Sequence, residues 1–229
     1  MASEFAAGHE HGMAAGGGTA PVPALELSDA AMRKLGNDAR NAFLDGLRAK
    51  GGDGASEAEM RLLSDEFYQE VPPAYYPSQD AAVHVCLGAD VNACNWDFIR
   101  SGGVRGGHGT VEDPHFGVVV NAAGRINAPC YFEAHPHIRY YAKNLMDEEG
   151  QEVTPQDLDD FAEEIERGVS AGKCVFVHCL EGKSRSAMAF IAWLGKFHGK
   201  GYDESLLFLQ RQRRVDGFTV QPNPTFERA

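Results

Sequence analysis

Lys173-Cys-Val-Phe-Val-His178-Cys179-Leu-Glu-Gly-Lys-Ser-Arg185-Ser186 runs directly into Ala187-Met-Ala-Phe-Ile-Ala-Trp-Leu-Gly-Lys-Phe-His198. The short β-branched and aromatic run Cys174 to Val177 predicts a strand buried on both faces, and the apolar run from Ala187 to Phe197 predicts a buried helix. Cys179 therefore opens a tight strand-to-helix loop. In such a loop successive backbone N–H groups and the helix N-terminus converge on one point and form a cradle for an anion. The same donors, with the Arg185 guanidinium, favour thiolate over thiol and are expected to bring Cys179 below the free value of about 8.5. Arg185 offers a planar fork that holds two phosphoryl oxygens at once, which lysine does less well. Ser186 can donate its hydroxyl to the sulfur when the thiolate has to leave. These parts describe phosphoryl transfer through a cysteinyl-phosphate. The tail of a nucleotide-binding loop, Gly182-Lys183-Ser184, is present, but Val177 stands where the first glycine belongs and the pattern fails. The plainer reading makes Cys179 a small buried hydrophobe and the register of His178, Gly182, Arg185 and Ser186 a coincidence.

His178-Cys-Leu-Glu-Gly-Lys-Ser-Arg-Ser186 resembles the signature loop of the cysteine-dependent protein tyrosine phosphatase superfamily, and its Ser-Arg-Ser ending resembles the dual-specificity branch. Val118-Val-Val-Asn121-Ala-Ala123 is similar to that branch's strand and Asn-Ala-Ala turn. Gln221-Pro-Asn-Pro-Thr-Phe226 is similar to its C-terminal Pro-Asn-x-x-Phe segment, and Val83 to Gly88 to its first strand. The resemblance covers residues 71–229. It implies that the loop residues Leu180, Glu181, Gly182, Lys183, Ser184 and Arg185 bind the phosphate, with His178 and Asn121 in support. It also implies that the general acid is Asp147, 32 residues before Cys179, rather than its neighbours Glu148 and Glu149. An arginine near Arg213 can sit by the pocket in this family, where it would bind a second substrate phosphate.

The 229 residues suffice for one ordinary domain plus extensions. Residues 1–27 are Gly- and Ala-rich without periodicity and are expected to form a flexible tail, its His9 and His11 carrying no role. Residues 28–70 are expected to form a helical extension. Ser28 caps a stripe of Met32, Leu35, Ala39, Phe43 and Leu47, and Ser56 to Glu59 forms a capping box before Met60, Leu63 and Phe67. The two helices have a face to bury, on the catalytic domain or on a partner, and docking on the domain is the favoured expectation. Pro72, Pro73 and Pro77 predict an extended linker, and the glycine-rich stretch from Asn92 to Pro114 a surface loop. Residues 71–229 are the expected catalytic domain.

A formal charge of −12 argues against nucleic acid as a partner. No run approaches the roughly 18 apolar residues of a membrane span, and no signal pattern opens the chain. Five cysteines without framework spacing read as reduced thiols, so an intracellular, soluble protein of cytoplasm or nucleus is expected. One of them could act as a redox partner of Cys179. Cys130, His135 and His137 have zinc-like spacing but no fourth ligand nearby, and a polar loop is the expected reading. No metal and no cofactor is expected. Ten acidic residues lie between Asp147 and Glu166 with no Lys or Arg, and Leu158, Phe161 and Ile165 supply the buried side of the helix that Thr154 and Pro155 open. That acidic face is either solvated or rims the pocket. Asp203 is expected to cap a later helix.

The expected fold is a three-layer α/β/α domain around a mostly parallel central sheet of four to five strands, with the site at the C-terminal edge of the strand ending in His178. The expected function is hydrolysis of phosphomonoesters on phosphorylated proteins, at tyrosine and at serine or threonine. The same chemistry on a phosphoinositide, a phosphoglucan or an RNA 5′-phosphate, and a catalytically silent phospho-binding module, stay open as alternatives.

Overall fold

The computed structural model describes residues 28–50, 73–77, 82–103, 109–145, 153–213 and 219–224. Five strands form one sheet: β1 (Ala74–Pro77), β2 (His84–Gly88), β3 (Phe116–Asn121), β4 (Arg139–Ala142) and β5 (Cys174–His178), in the order β1-β2-β5-β3-β4. Only β1 runs antiparallel to its neighbour. The three central strands are buried along their whole length, which is why they read as continuous apolar runs rather than alternating ones.

Alternation reappears in where each residue points. Val85, Leu87, Val118, Val120, Val175 and Val177 share one core with α5 (Pro155–Ser170) and α6 (Arg185–His198). Cys86, Val119 and Phe176 face the other side, against α3 (Trp96–Ser101) and α1 (Asp29–Lys50). Phe116 lies on the second side together with Val119 because the ladder slips between Phe116 and Val118, inverting the parity at Gly117. Short helices α2 (Asp90–Ala93) and α4 (Gly124–Asn127) follow β2 and β3, and α7 (Tyr202–Gln212) follows α6.

The helix α6 is buried on nearly every side, with Ala187, Met188, Ala189, Phe190, Ile191, Trp193 and Leu194 all covered, as expected of a helix apolar all round. Thr154 and Asp157 close a reciprocal capping box at the start of α5, with Pro155 at its first position. Ser28 Oγ accepts from the amide of Ala31 at the start of α1. That helix packs on the domain: Met32, Leu44 and Leu47 are buried, each contributing about 1.5–3 kcal/mol. Arg33 grips Asp97 with two hydrogen bonds of 2.9 and 2.8 Å, and the Trp96 indole donates to Asp29 at 2.8 Å. Gly36 lies so close to the Cys94 carbonyl that a Cβ would collide with it.

Three expectations need correction. The proline-rich linker contains edge strand β1; an extended backbone with its proline at the strand end is compatible with pairing on one side. The supposed surface loop after Asn92 contains α3, where Asn95 caps by accepting from the Phe98 amide and Trp96, Phe98 and Ile99 are buried. Its glycines begin only at Gly102, after the helix has ended. Asp203 lies in the first turn of α7 and Gly201 is the cap residue, so its carboxylate meets the helix dipole without capping. The tail 1–27, the helix expected at 56–67 and the acidic loop at 147–149 lie outside the described residues.

Candidate active site

The sheet order puts β5 between β2 and β3, so the loop leaving β5 is flanked by the ends of both. Cys179 follows His178 directly and is 2% exposed. Two donors point at its sulfur: the Gly182 amide at 3.2 Å and the Ser186 hydroxyl at 3.2 Å. The first comes from the loop and the second from the opening turn of α6, so the chain has curled around the sulfur. Arg185 begins α6 and is 4% exposed.

Neighbouring segments hold the loop from all sides. The Asp90 amide donates to the Leu180 carbonyl at 2.9 Å, the Gln221 amide to the Lys183 carbonyl at 3.2 Å, and the Asn223 amide to Ser184 Oγ at 3.0 Å. Gly182 has φ +71°, and a Cβ there would stand 2.5 Å from the Gly88 carbonyl and 2.6 Å from Arg213 Nη1. Glycine is required on both counts, conformation and space. Glu181 and Lys183 pair at 3.3 Å within the loop. Beside them a cleft of about 270 Å³ is lined by Glu181, Lys183, Ser184, Gln221 and Asn223.

Arg213 is fully buried and its Nη1 donates to the Gly182 carbonyl. Burial pulls its guanidinium down to about 10, while Cys179 and Cys86 act in the opposite direction, so it stays charged at neutral pH. A guanidinium without accessible surface, bonded to the loop backbone, does not fit the expected second-phosphate site.

His178 stacks on Phe176 with 7° between the rings, and its Nδ1 lies 3.3 Å from the Cys179 carbonyl, to which it donates. Burial, reinforced by the Arg185 charge and opposed by that hydrogen bond, lowers its pKa to about 4, so the imidazole is neutral at pH 7. Asn121 sits beside His178 across the β3–β5 ladder. Its amide nitrogen donates to the Ala128 carbonyl at 2.7 Å and its oxygen accepts from the Ala123 amide at 3.0 Å. Asn121 thus shapes the turn under the Cys179 loop without reaching the sulfur.

Asp90 was not singled out in the sequence. It is fully buried beside the loop and accepts from the Tyr131 hydroxyl at 2.7 and 2.8 Å. Burial lifts its pKa to about 6, against the opposing Tyr131 hydrogen bond and Arg40 charge. Its only sequence signal is an acidic residue two places after the glycine that ends a buried strand.

The carboxylates on α5 are matched by cations. Lys143 pairs with Asp157 and Asp160 at 2.7 and 2.6 Å, Lys196 with Asp159 and Glu163 at 3.0 and 2.9 Å, and Arg139 and Arg167 with Glu164. Cys130, His135 and His137 do not converge: His135 bonds the Val111 carbonyl at 2.8 Å, while Cys130 lies 3.6 Å from the Asn121 amide.

Residues 108–228 match the family model described as the dual specificity phosphatase catalytic domain. The chain belongs to the dual specificity phosphatase family. The chain is 31% identical over 147 residues to human protein phosphatase Slingshot homolog 2, a match covering 63% of the chain and 9% of that protein. With human dual specificity protein phosphatase 16 it shares 31% over 110 residues, 48% of the chain and 15% of that protein. The chain therefore spans a small part of these relatives. Its fold is that of the crystal structure of human DUSP28, at 20% identity and a TM-score of 0.50, over 69% of this chain and 90% of that one. Among the described residues no helix is long and apolar enough to cross a membrane.

Proposed function

We propose that this dual specificity phosphatase domain hydrolyses phosphomonoesters on proteins, at phosphotyrosine and at phosphoserine or phosphothreonine, through a cysteinyl-phosphate. The observation that carries the proposal is the pair of donors on Cys179: an amide from the loop and a hydroxyl from the following helix both point at one sulfur and hold it at the centre of the loop. In the first step the Cys179 sulfur attacks phosphorus and the ester P–O bond breaks. Arg185 and the amides of Leu180 to Arg185 hold the phosphoryl oxygens as charge shifts. Asp147 gives its proton to the departing oxygen, a contribution of roughly 10²–10⁴-fold. In the second step water attacks phosphorus, Asp147 takes its proton, and the sulfur leaves as thiolate with the Ser186 hydroxyl bonded to it. His178 and Asn121 brace the strand ends, and Arg213 braces the Gly182 carbonyl from behind.

The Lys183–Glu181 pair lends no support to a lipid substrate, since it occupies the loop's one flexible cation with an internal carboxylate. Wild type should hydrolyse p-nitrophenyl phosphate in excess EDTA, and Cys179→Ser should lose at least about 10³-fold in kcat. No turnover by wild type would reduce the domain to a phosphate binder, and equal turnover by the two proteins would remove Cys179 as the nucleophile. Asp147→Asn should lower kcat by about 10²-fold or more with KM little changed. A matching loss in Glu148→Gln would move the acid by one residue.

A further inference from the structure

The same three central strands carry a second cluster at their other end. His84 is the first residue of β2, Cys174 the first of β5, and His115 immediately precedes β3. Because Val85 pairs with Val175 and Phe116 with Cys174, the register brings the three residues together from positions 31 and 90 residues apart. His115 Nε2 lies 3.1 Å from His84 Nε2, and Cys174 Sγ lies 3.6 Å from His84 Nδ1. One ligand atom from each of the three lies within 4.8 Å of the others.

Those separations suit a metal ion. One ion takes a single His84 nitrogen, and the two short separations belong to different ones, Nε2 toward His115 and Nδ1 toward Cys174. A tetrahedral zinc with Zn–N near 2.0–2.1 Å and Zn–S near 2.3 Å holds its ligand atoms about 3.3–3.6 Å apart, so ligand atoms now within 4.8 Å of one another must draw together on binding. Two imidazoles and a thiol form a borderline-soft donor set, which favours zinc-class cations over magnesium or calcium. The surroundings are also those of a metal centre. Tyr75 and Phe116 pack edge-on against the His84 ring at 5.3 and 5.7 Å, giving an apolar shell. A cavity of about 240 Å³, lined by Ala82, Asp113, His115, Lys173 and Cys174, gives entry from solvent. The Asp113 carboxylate lines that cavity but is exposed and paired with Lys173 Nζ at 3.4 Å, which leaves the fourth position of such a site to water.

We propose that His84, His115 and Cys174 bind one divalent cation of the zinc class, tying together the starts of β2, β3 and β5. Binding replaces the His84–His115 hydrogen bond with two metal–nitrogen bonds and releases the Cys174 thiol proton to solvent as the sulfur ligates. Cys174 and Cys179 stand five residues apart on one strand and its exit, roughly 16 Å. The cation therefore takes no part in phosphoryl transfer, and the proposal is independent of the catalytic reading.

The test uses the full chain carrying Cys179→Ser, so that the loop cysteine cannot capture metal. After treatment with EDTA and its removal, Co²⁺ should bind at one equivalent with a thiolate-to-cobalt charge-transfer band and the strong visible absorption of tetrahedral cobalt. Adding His115→Gln should weaken binding by at least about 100-fold and adding Cys174→Ser should abolish the charge-transfer band, while adding Cys130→Ser should change neither. Zinc should raise Tm in the parent in a concentration-dependent way and lose that effect in the His115→Gln protein. His115 lies at the cavity rim, so this variant decides the matter if Cys174→Ser fails to fold. Absence of the band in the parent, or its persistence in Cys174→Ser, would overturn the proposal.

Discussion

The two ends of strands β2, β5 and β3 are built from the same ladder in opposite ways. At the C-terminal end the groups around Cys179 are mostly backbone amides and carbonyls, and the central residues are contiguous in the chain, from His178 to Ser186. At the N-terminal end the cluster is made of side chains only, and register alone joins them. A loop that works through its backbone tolerates no change of path but needs few particular side chains. A cluster that works through side chains tolerates backbone shifts but loses its property with any one residue.

The sharpest way to break that contrast is Gly182→Ala. The added methyl meets the Gly88 carbonyl and Arg213, and φ +71° is unfavourable for alanine. Left-handed backbone and overpacking together should cost about 3 kcal/mol or more in denaturant unfolding. A displaced loop should also lower kcat by about 10²-fold. Near-wild-type values of both would show that the loop path is less constrained than the amide-built end requires.

Two buried titrating groups brace the same end, and their pH effects have opposite signs. His178 has its pKa lowered from the ordinary 6.5 to about 4. The unfolded chain therefore binds the extra proton between those values, and the folded state loses about 3 kcal/mol as pH falls through that window. Asp90 has its pKa raised from 3.8 to about 6. Here the folded state binds the extra proton, so somewhat less than 3 kcal/mol is lost as pH rises from about 4 to 6. In wild type the two slopes largely offset each other. Relative to wild type, Asp90→Asn should make stability climb more steeply from pH 4 to pH 6, and His178→Asn, which keeps a donor for the Cys179 carbonyl, should make it fall. Chemical denaturation at several pH values reads both, and parallel profiles for all three proteins would remove either group from the account.

What could be read in the sequence follows the same division. The Cys179 loop, the buried helix after it and the Ser28 and Thr154 caps were legible because their causes lie within a few residues. Strand β1 was hidden by its prolines, and α3 by the glycines that follow it. The pairing of Lys143 and Lys196 with the acidic helix, the burial of Arg213 under Gly182 and the meeting of His84, His115 and Cys174 depend on contacts between distant segments. Periodicity carries no trace of such contacts, and only the tertiary packing supplies them.

Strand β2 lies between β1 and β5, so the second and third positions of the sheet come from segments far apart in the chain. A fragment beginning after β2 would keep every residue of the Cys179 loop and still lose the partner that hydrogen-bonds one whole side of β5. The bared apolar edge would be a template for pairing with another copy, and such a fragment should precipitate rather than work. For anyone trimming this protein for expression, the residues before β3 are half of its central seam.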